Sequence, residues 1–124
     1  MMTSSTFRGP SDLHLHSERS DGTQPPAEVM RAAYEHGIRT AALTDHDTTE
    51  GWVEAGAAAT SLGMTFLPGM EMSARYGGRS VHVLAYLPDP DDAPLRGELS
   101  RIRSSRLDRA HTMAERIARD YDLT

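Results

Sequence analysis

Apolar positions along the chain change their period several times, and each change marks an element. In "DLHLH", residues 12–16, Leu13 and Leu15 alternate with Asp12, His14 and His16, the period of two of a short strand. The polar "SERSDGTQ" follows, with a turn signal at Asp21-Gly22. "PPAEVMRAAYEHG" reads as a helix, with Pro near its first turn and Gly37 just past its end. "IRTAALTDH" is the next strand, apolar from Thr40 to Leu43. Thr48 or Thr49 is placed to cap a second helix running to about Leu62, which Gly63 closes. "MTFLPGMEMSARY" is extended but interrupted at Pro68-Gly69, and Gly77-Gly78 is a hairpin-type turn into "SVHVLAYL". "PDPDDAP" then breaks the chain before a long Arg-rich helix from residue 94 to about 120.

Strand, helix, strand, helix, strand predicts an α/β chain of parallel βα units, with ligands at the carboxyl ends of the strands. The unusual residues fall there: His16 ends the first strand, Asp45-His46 end the second, and Glu71 lies near the end of the third. Residues 1–10, "MMTSSTFRGP", are expected to be a disordered N-terminus and lack the apolar segment of a signal peptide. Residues 11–90 then form the βα part and residues 91–124 the helical part. No apolar run approaches the roughly 20 residues of a membrane span, so the expected location is cytoplasmic.

Composition sharpens the chemistry. The 124 residues contain no cysteine, so a bound metal must be held by His, Asp and Glu, which favours Mn, Fe, Zn or Mg. A net charge of -5 argues against broad nucleic-acid coating. Residues 1–95 carry 6 Arg against 13 acids, whereas residues 96–124 carry 7 Arg against 5.

On a strand Asp12, His14 and His16 share one face, so two imidazoles stand side by side, able to bind one divalent ion. Asp12 is either a ligand or the partner that orients one. Asp21, five residues beyond His16, is a turn-former in its own right. "TDHD", residues 44–47, ends an apolar strand in three ionisable groups; helix-start chemistry accounts for Asp47 but not for His46. Glu71 between two methionines is turned outward or held by a cation, because burying it unpaired is costly. His82 among aliphatics reads first as a core residue, although the hairpin can bring it to Glu71. His36 is a helix C-terminal cap. In the last helix Leu99, Ile102, Ala110, Met113 and Ile117 form an apolar stripe on which Arg106 also falls. Arg106 is either a snorkelling surface arginine or, with Arg103 or Arg109, a group aimed at a substrate phosphate.

"DLHLHSERSDG", "LTDHDTTEG", "PGMEMS" and "VHVLAYLPD", in that order, resemble the PHP (polymerase and histidinol phosphatase) family of metal-dependent phosphoesterases. The resemblance covers residues 11 to 120 and implies the N-terminal part of a distorted (β/α)7 barrel, with a helical insertion after the fourth strand. It implies two or three divalent ions. His14 and His16 would bind one, Glu71 would bridge two, His82 would bind the second, and Asp21 and His46 would serve a third. Asp12 and Asp45 match motif positions as ligands or supporting partners, and Glu71, His46 and Asp45 would be the catalytic groups. The implied reaction is phosphoester hydrolysis by metal-activated water. The long helix resembles an insertion in a branch acting on nucleotides and trimming short RNA, which makes Arg103, Arg106 and Arg109 substrate-binding candidates. The family's later His and Asp-x-His motif do not occur here, so the chain is expected to be a fragment, a truncated gene product or a chain completed by another copy. Two other readings stand beside it: an incomplete half-barrel that binds metal or a partner without turnover, and a PHP exonuclease module.

Overall fold

The computed structural model describes residues 9–121. The chain divides into two compact units, one extending to Asp89 and the other beginning at Pro90. The first unit runs β1 (Ser11–Leu15), α1 (Pro26–Glu35), β2 (Thr40–Leu43), α2 (Trp52–Leu62), β3 (Thr65–Tyr76) and β4 (Arg79–Tyr86). The second contains α3 (Ala93–Asp120). The expectation for residues 1–8 lies outside the described span. Pro10 is tied in place, its carbonyl accepting the Arg39 N–H at 2.9 Å.

The sheet order is β1-β2-β3-β4, parallel across the first three strands and antiparallel between β3 and β4. Every residue of β2 is buried, which suits a central strand covered by helices. Val29 and Met30 of α1, Ala41 and Leu43 of β2, Ala55 and Ala59 of α2, and Met64 form the core. The small side chains of α2 let that helix lie close to the sheet. Pro26 starts α1 with its φ already helical; the free N–H of Ala27 is met by Glu54 of α2 at 2.8 Å rather than by a local cap.

Three expectations are corrected. Neither Thr48 nor Thr49 caps α2, which starts at Trp52 behind Gly51; the Thr48 hydroxyl accepts the Glu50 N–H at 3.2 Å, closing a turn ahead of the helix. Pro68-Gly69 does not interrupt the third strand. It is where a single 12-residue strand changes partner, pairing with β2 over Thr65–Pro68 and with β4 over Gly69–Tyr76. A Cβ at Gly69 would lie 2.9 Å from Thr44 Cγ2 and 3.3 Å from two carbonyl oxygens, so the crossing needs glycine. Asp47 does not serve a helix start: at φ 54° it turns the chain out of β2 and sends its carboxylate to Ser73.

The sheet curls. Its two edge strands come together where Tyr86 Oη of β4 donates to the Leu13 carbonyl of β1 at 2.7 Å. The result is part of a (β/α) barrel. In α3, Asp92 caps the first turn by accepting the Leu95 N–H at 2.9 Å. Ile102 on the expected stripe is buried, whereas Met113 and Ile117 are about half exposed. Among the described residues no helix is long and apolar enough to cross a membrane.

Candidate metal centre

Four elements deliver donors to one place. His14 comes from β1 and His16 from just past its end; His46 follows β2, Glu71 lies on β3, and His82 on β4. Glu71, 7% exposed, is the hub. Its Oε1 is 2.6 Å from His14 Nε2. Its Oε2 is 3.0 Å from His46 Nε2, 3.2 Å from His82 Nδ1 and 3.8 Å from His16 Nε2. Asp21 closes the other side, with Oδ1 3.0 Å from His16 Nδ1 and Oδ2 3.1 Å from His46 Nε2. The four imidazoles form an arc with successive ring centroids 5.2, 4.6 and 5.1 Å apart.

Three overlapping triads place their ligand atoms close enough to share an ion: His14, His16 and Glu71; His16, Asp21 and His46; His46, Glu71 and His82. Asp12 and Asp45 belong to none of them. A register shift in β1 falls between Asp12 and Leu15, and the Asp12 carboxylate turns back to accept the His14 N–H at 3.1 Å. Asp45, 2% exposed, accepts from Ser17 N–H at 2.6 Å, Ser17 Oγ at 2.6 Å and Ser20 Oγ at 2.8 Å. That carboxylate anchors the loop carrying Asp21, a contact that suits the supporting place among the roles expected for it. His82 leaves the core reading: half exposed, it faces Glu71 instead of the aliphatics around it in sequence. His36 caps α1 as expected, its Nδ1 paired with the Ala32 carbonyl at 2.8 Å. Arg103, Arg106 and Arg109 are exposed on α3, in the second unit.

The charge arrangement fits a cation. If the imidazoles were protonated, each neighbouring pair at about 5 Å would repel by about 3 kcal/mol at an effective dielectric of ~20. If they are neutral, three ring nitrogens crowd one carboxylate oxygen that cannot satisfy them all with good geometry. A divalent ion removes both difficulties, and imidazole with carboxylate is the donor set of Zn, Fe and Mn sites. His46 Nδ1 is buried with no hydrogen-bond partner among the described residues, whose contacts with this ring are made through Nε2. Burial pushes the Glu71 carboxyl up, but hydrogen bonds from His82 and His14 and the charges of His46 and His16 outweigh it and hold it below its ordinary range. Asp21 behaves alike: desolvation raises it, and the charges of His16 and His46 together with its hydrogen bonds outweigh that and bring it lower.

Comparison with known proteins agrees with this geometry. The PHP domain model matches residues 12–94. The chain belongs to the PHP domain family. Among PHP-related proteins, a 3',5'-nucleoside bisphosphate phosphatase of Chromobacterium violaceum is 44% identical over 102 residues, 82% of this chain and 36% of that protein. A 5'-3' exoribonuclease of Haemophilus influenzae is 34% identical over 106 residues, 86% of this chain and 39% of that one. A crystal structure described as a metal-dependent phosphoesterase from Bifidobacterium adolescentis superposes with a TM-score of 0.86 at 36% identity, over 94% of this chain and 42% of its own. This PHP chain therefore spans well under half the length of these relatives.

Several supporting residues carry no signal in the sequence. Ser17 and Ser20 are ordinary loop serines until Asp45, 28 and 25 residues away, is folded onto them. Trp52, whose indole N–H donates to the Gly69 carbonyl at 2.8 Å two residues before Glu71, reads only as an apolar helix residue.

Proposed function

We propose that this chain carries the metal-binding part of a phosphoester hydrolase acting on a phosphorylated nucleotide or a short RNA. The observation that carries the reading is the convergence of four imidazoles on the Glu71 carboxylate, which is nine-tenths buried; Glu71 stands midway along β3, not near its end as expected, because the strand runs on past its pairing with β2 to pair with β4. His14, His16 and Glu71 would hold one divalent ion, His46, Glu71 and His82 a second, and His16, Asp21 and His46 a third. Mn, Fe and Zn suit these donors, and Mg is compatible with the carboxylates. Such ions, when bound, supply positive charge for a phosphate and bring the pKa of a coordinated water toward neutral.

The protein's own contribution is placement. Glu71 presents its two oxygens to different imidazoles, Oε1 to His14 and Oε2 to His46 and His82, which suits a bridging role. Asp45 keeps the loop of Asp21 in position. Arg103, Arg106 and Arg109, three residues apart on one helix, are the candidates for contact with substrate phosphate. The relatives named as acting on nucleoside bisphosphates and on RNA support the substrate class.

The test is elemental analysis of the purified full chain and of its His14→Ala/His16→Ala variant. Hydrolysis of a nucleoside 3',5'-bisphosphate and of a 5'-phosphorylated oligoribonucleotide is assayed alongside, with and without chelator. Stoichiometric metal and chelator-sensitive phosphate release, both lost in the variant, are expected. Metal without turnover would favour an incomplete site, and the absence of metal would overturn the reading.

A further inference from the structure

We infer that Asp47 is a positioning residue for the metal centre: it clamps the end of β2 to β3 and so sets His46 opposite Glu71. The inference rests on the metal reading above and names the device that assembles its centre. Beyond Leu43 the regular pairing of β2 with β3 has ended, yet His46 and Glu71 form an isolated parallel bridge. Two backbone bonds make it, Glu71 N–H to the Asp45 carbonyl and Asp47 N–H to the Glu71 carbonyl, both at 3.2 Å. These are long bonds, and they join an irregular segment to a strand that has just changed partner. The Asp47 side chain reinforces them. Its Oδ1 accepts the Ser73 N–H at 2.7 Å, and its Oδ2 accepts the Ser73 hydroxyl at 2.6 Å.

This carboxylate is 4% exposed and lies in none of the ligand triads. Its backbone adopts φ 54°, a left-handed conformation that Asp and Asn tolerate better than other side chains. Ser73 in turn stands opposite His82 in the β3–β4 register, so one carboxylate tethers the segment carrying His46 to the hairpin carrying Glu71 and His82. Those are the three members of one triad.

The experiment is a Co(II) titration of the full chain followed by visible absorption, with thermal melting of the metal-free proteins in parallel. Asp47→Ala is expected to weaken Co(II) binding at least tenfold and to alter the ligand-field bands. Asp47→Asn, which accepts the same φ and keeps an oxygen for the Ser73 N–H, should recover most of the affinity. Ser73→Ala, which loses the hydroxyl bond to Asp47 and keeps the backbone one, should fall between. A purely structural Asp47 would lower the melting temperature and leave the affinity and bands of the folded protein unchanged, and that result overturns the inference. If Asp47→Ala does not fold, Ser73→Ala decides: wild-type affinity and bands there overturn it. Failure of the wild type to bind Co(II) defeats the metal reading itself, a distinct outcome.

Discussion

Asp45→Ala should unfasten the loop between β1 and α1 without touching a ligand of the metal centre. The Asp45 carboxylate is 2% exposed and accepts three hydrogen bonds, at 2.6, 2.6 and 2.8 Å. A hydrogen bond to a carboxylate contributes about 1.5–3 kcal/mol, and a buried donor left unpaired costs about 1–3 kcal/mol. Ser17 is fully buried, so its N–H and hydroxyl cannot turn to water when the acceptor is removed. Because the three bonds share one carboxylate their losses do not add, and the expected destabilisation is about 3–5 kcal/mol. Set against the ~5–15 kcal/mol stability of an ordinary domain, that is a large fraction. Asp45→Asn should cost less, about 1–3 kcal/mol, since the amide oxygen still accepts while its NH2 faces a donor. The assay is urea unfolding of the metal-free protein, followed by the fluorescence of Trp52, the single tryptophan. A loss below about 1 kcal/mol for Asp45→Ala would falsify the idea that this carboxylate holds the loop, since two buried donors stranded without an acceptor cannot cost so little.

Other outcomes follow from the same geometry. Gly22→Ala would place a Cβ 2.7 Å from the His16 carbonyl oxygen and 2.9 Å from backbone atoms of Ser17, so the turn must shift and carry Asp21 with it; calorimetry should show weaker metal binding than wild type. Tyr86→Phe removes the bond joining the two edge strands and should cost about 1 kcal/mol of stability in urea. Glu71→Gln tests the pH dependence. The folded-state carboxyl is held below its ordinary 4.5, so its stabilising contribution is fully present above that pH and is lost as pH falls through the folded value. Denaturation of the metal-free proteins at pH 7, 4 and 3 should therefore show the gap between wild type and Glu71→Gln narrowing on acidification; a constant gap would refute the assignment.

Much of this cluster is legible in the sequence. His14 and His16 stood out as two imidazoles on one strand face, His46 as an ionisable group at the end of an apolar strand, and Glu71 as a carboxylate between two methionines. The elements were legible for the same local reasons: period-two alternation in β1, proline opening α1, glycine closing α2. The partner switch at Pro68-Gly69 was not, because proline and glycine mark a break in local terms. Here the break is in pairing, and only neighbouring strands reveal it. Asp47 was misread because an acid ahead of a helix has a sufficient local explanation; its actual partner, Ser73, is 26 residues away. Asp12 reads in sequence as a ligand or an orienting partner; its bond to the His14 N–H, beside a register shift in β1, is a contact that strict alternation does not predict. The candidate ligands of this chain are imidazoles and carboxylates among apolar strand residues, and sequence alone marks them by that chemistry. The groups that hold those ligands are ordinary serines and aspartates, and what makes them supports is which distant backbone the curled sheet brings within hydrogen-bonding reach.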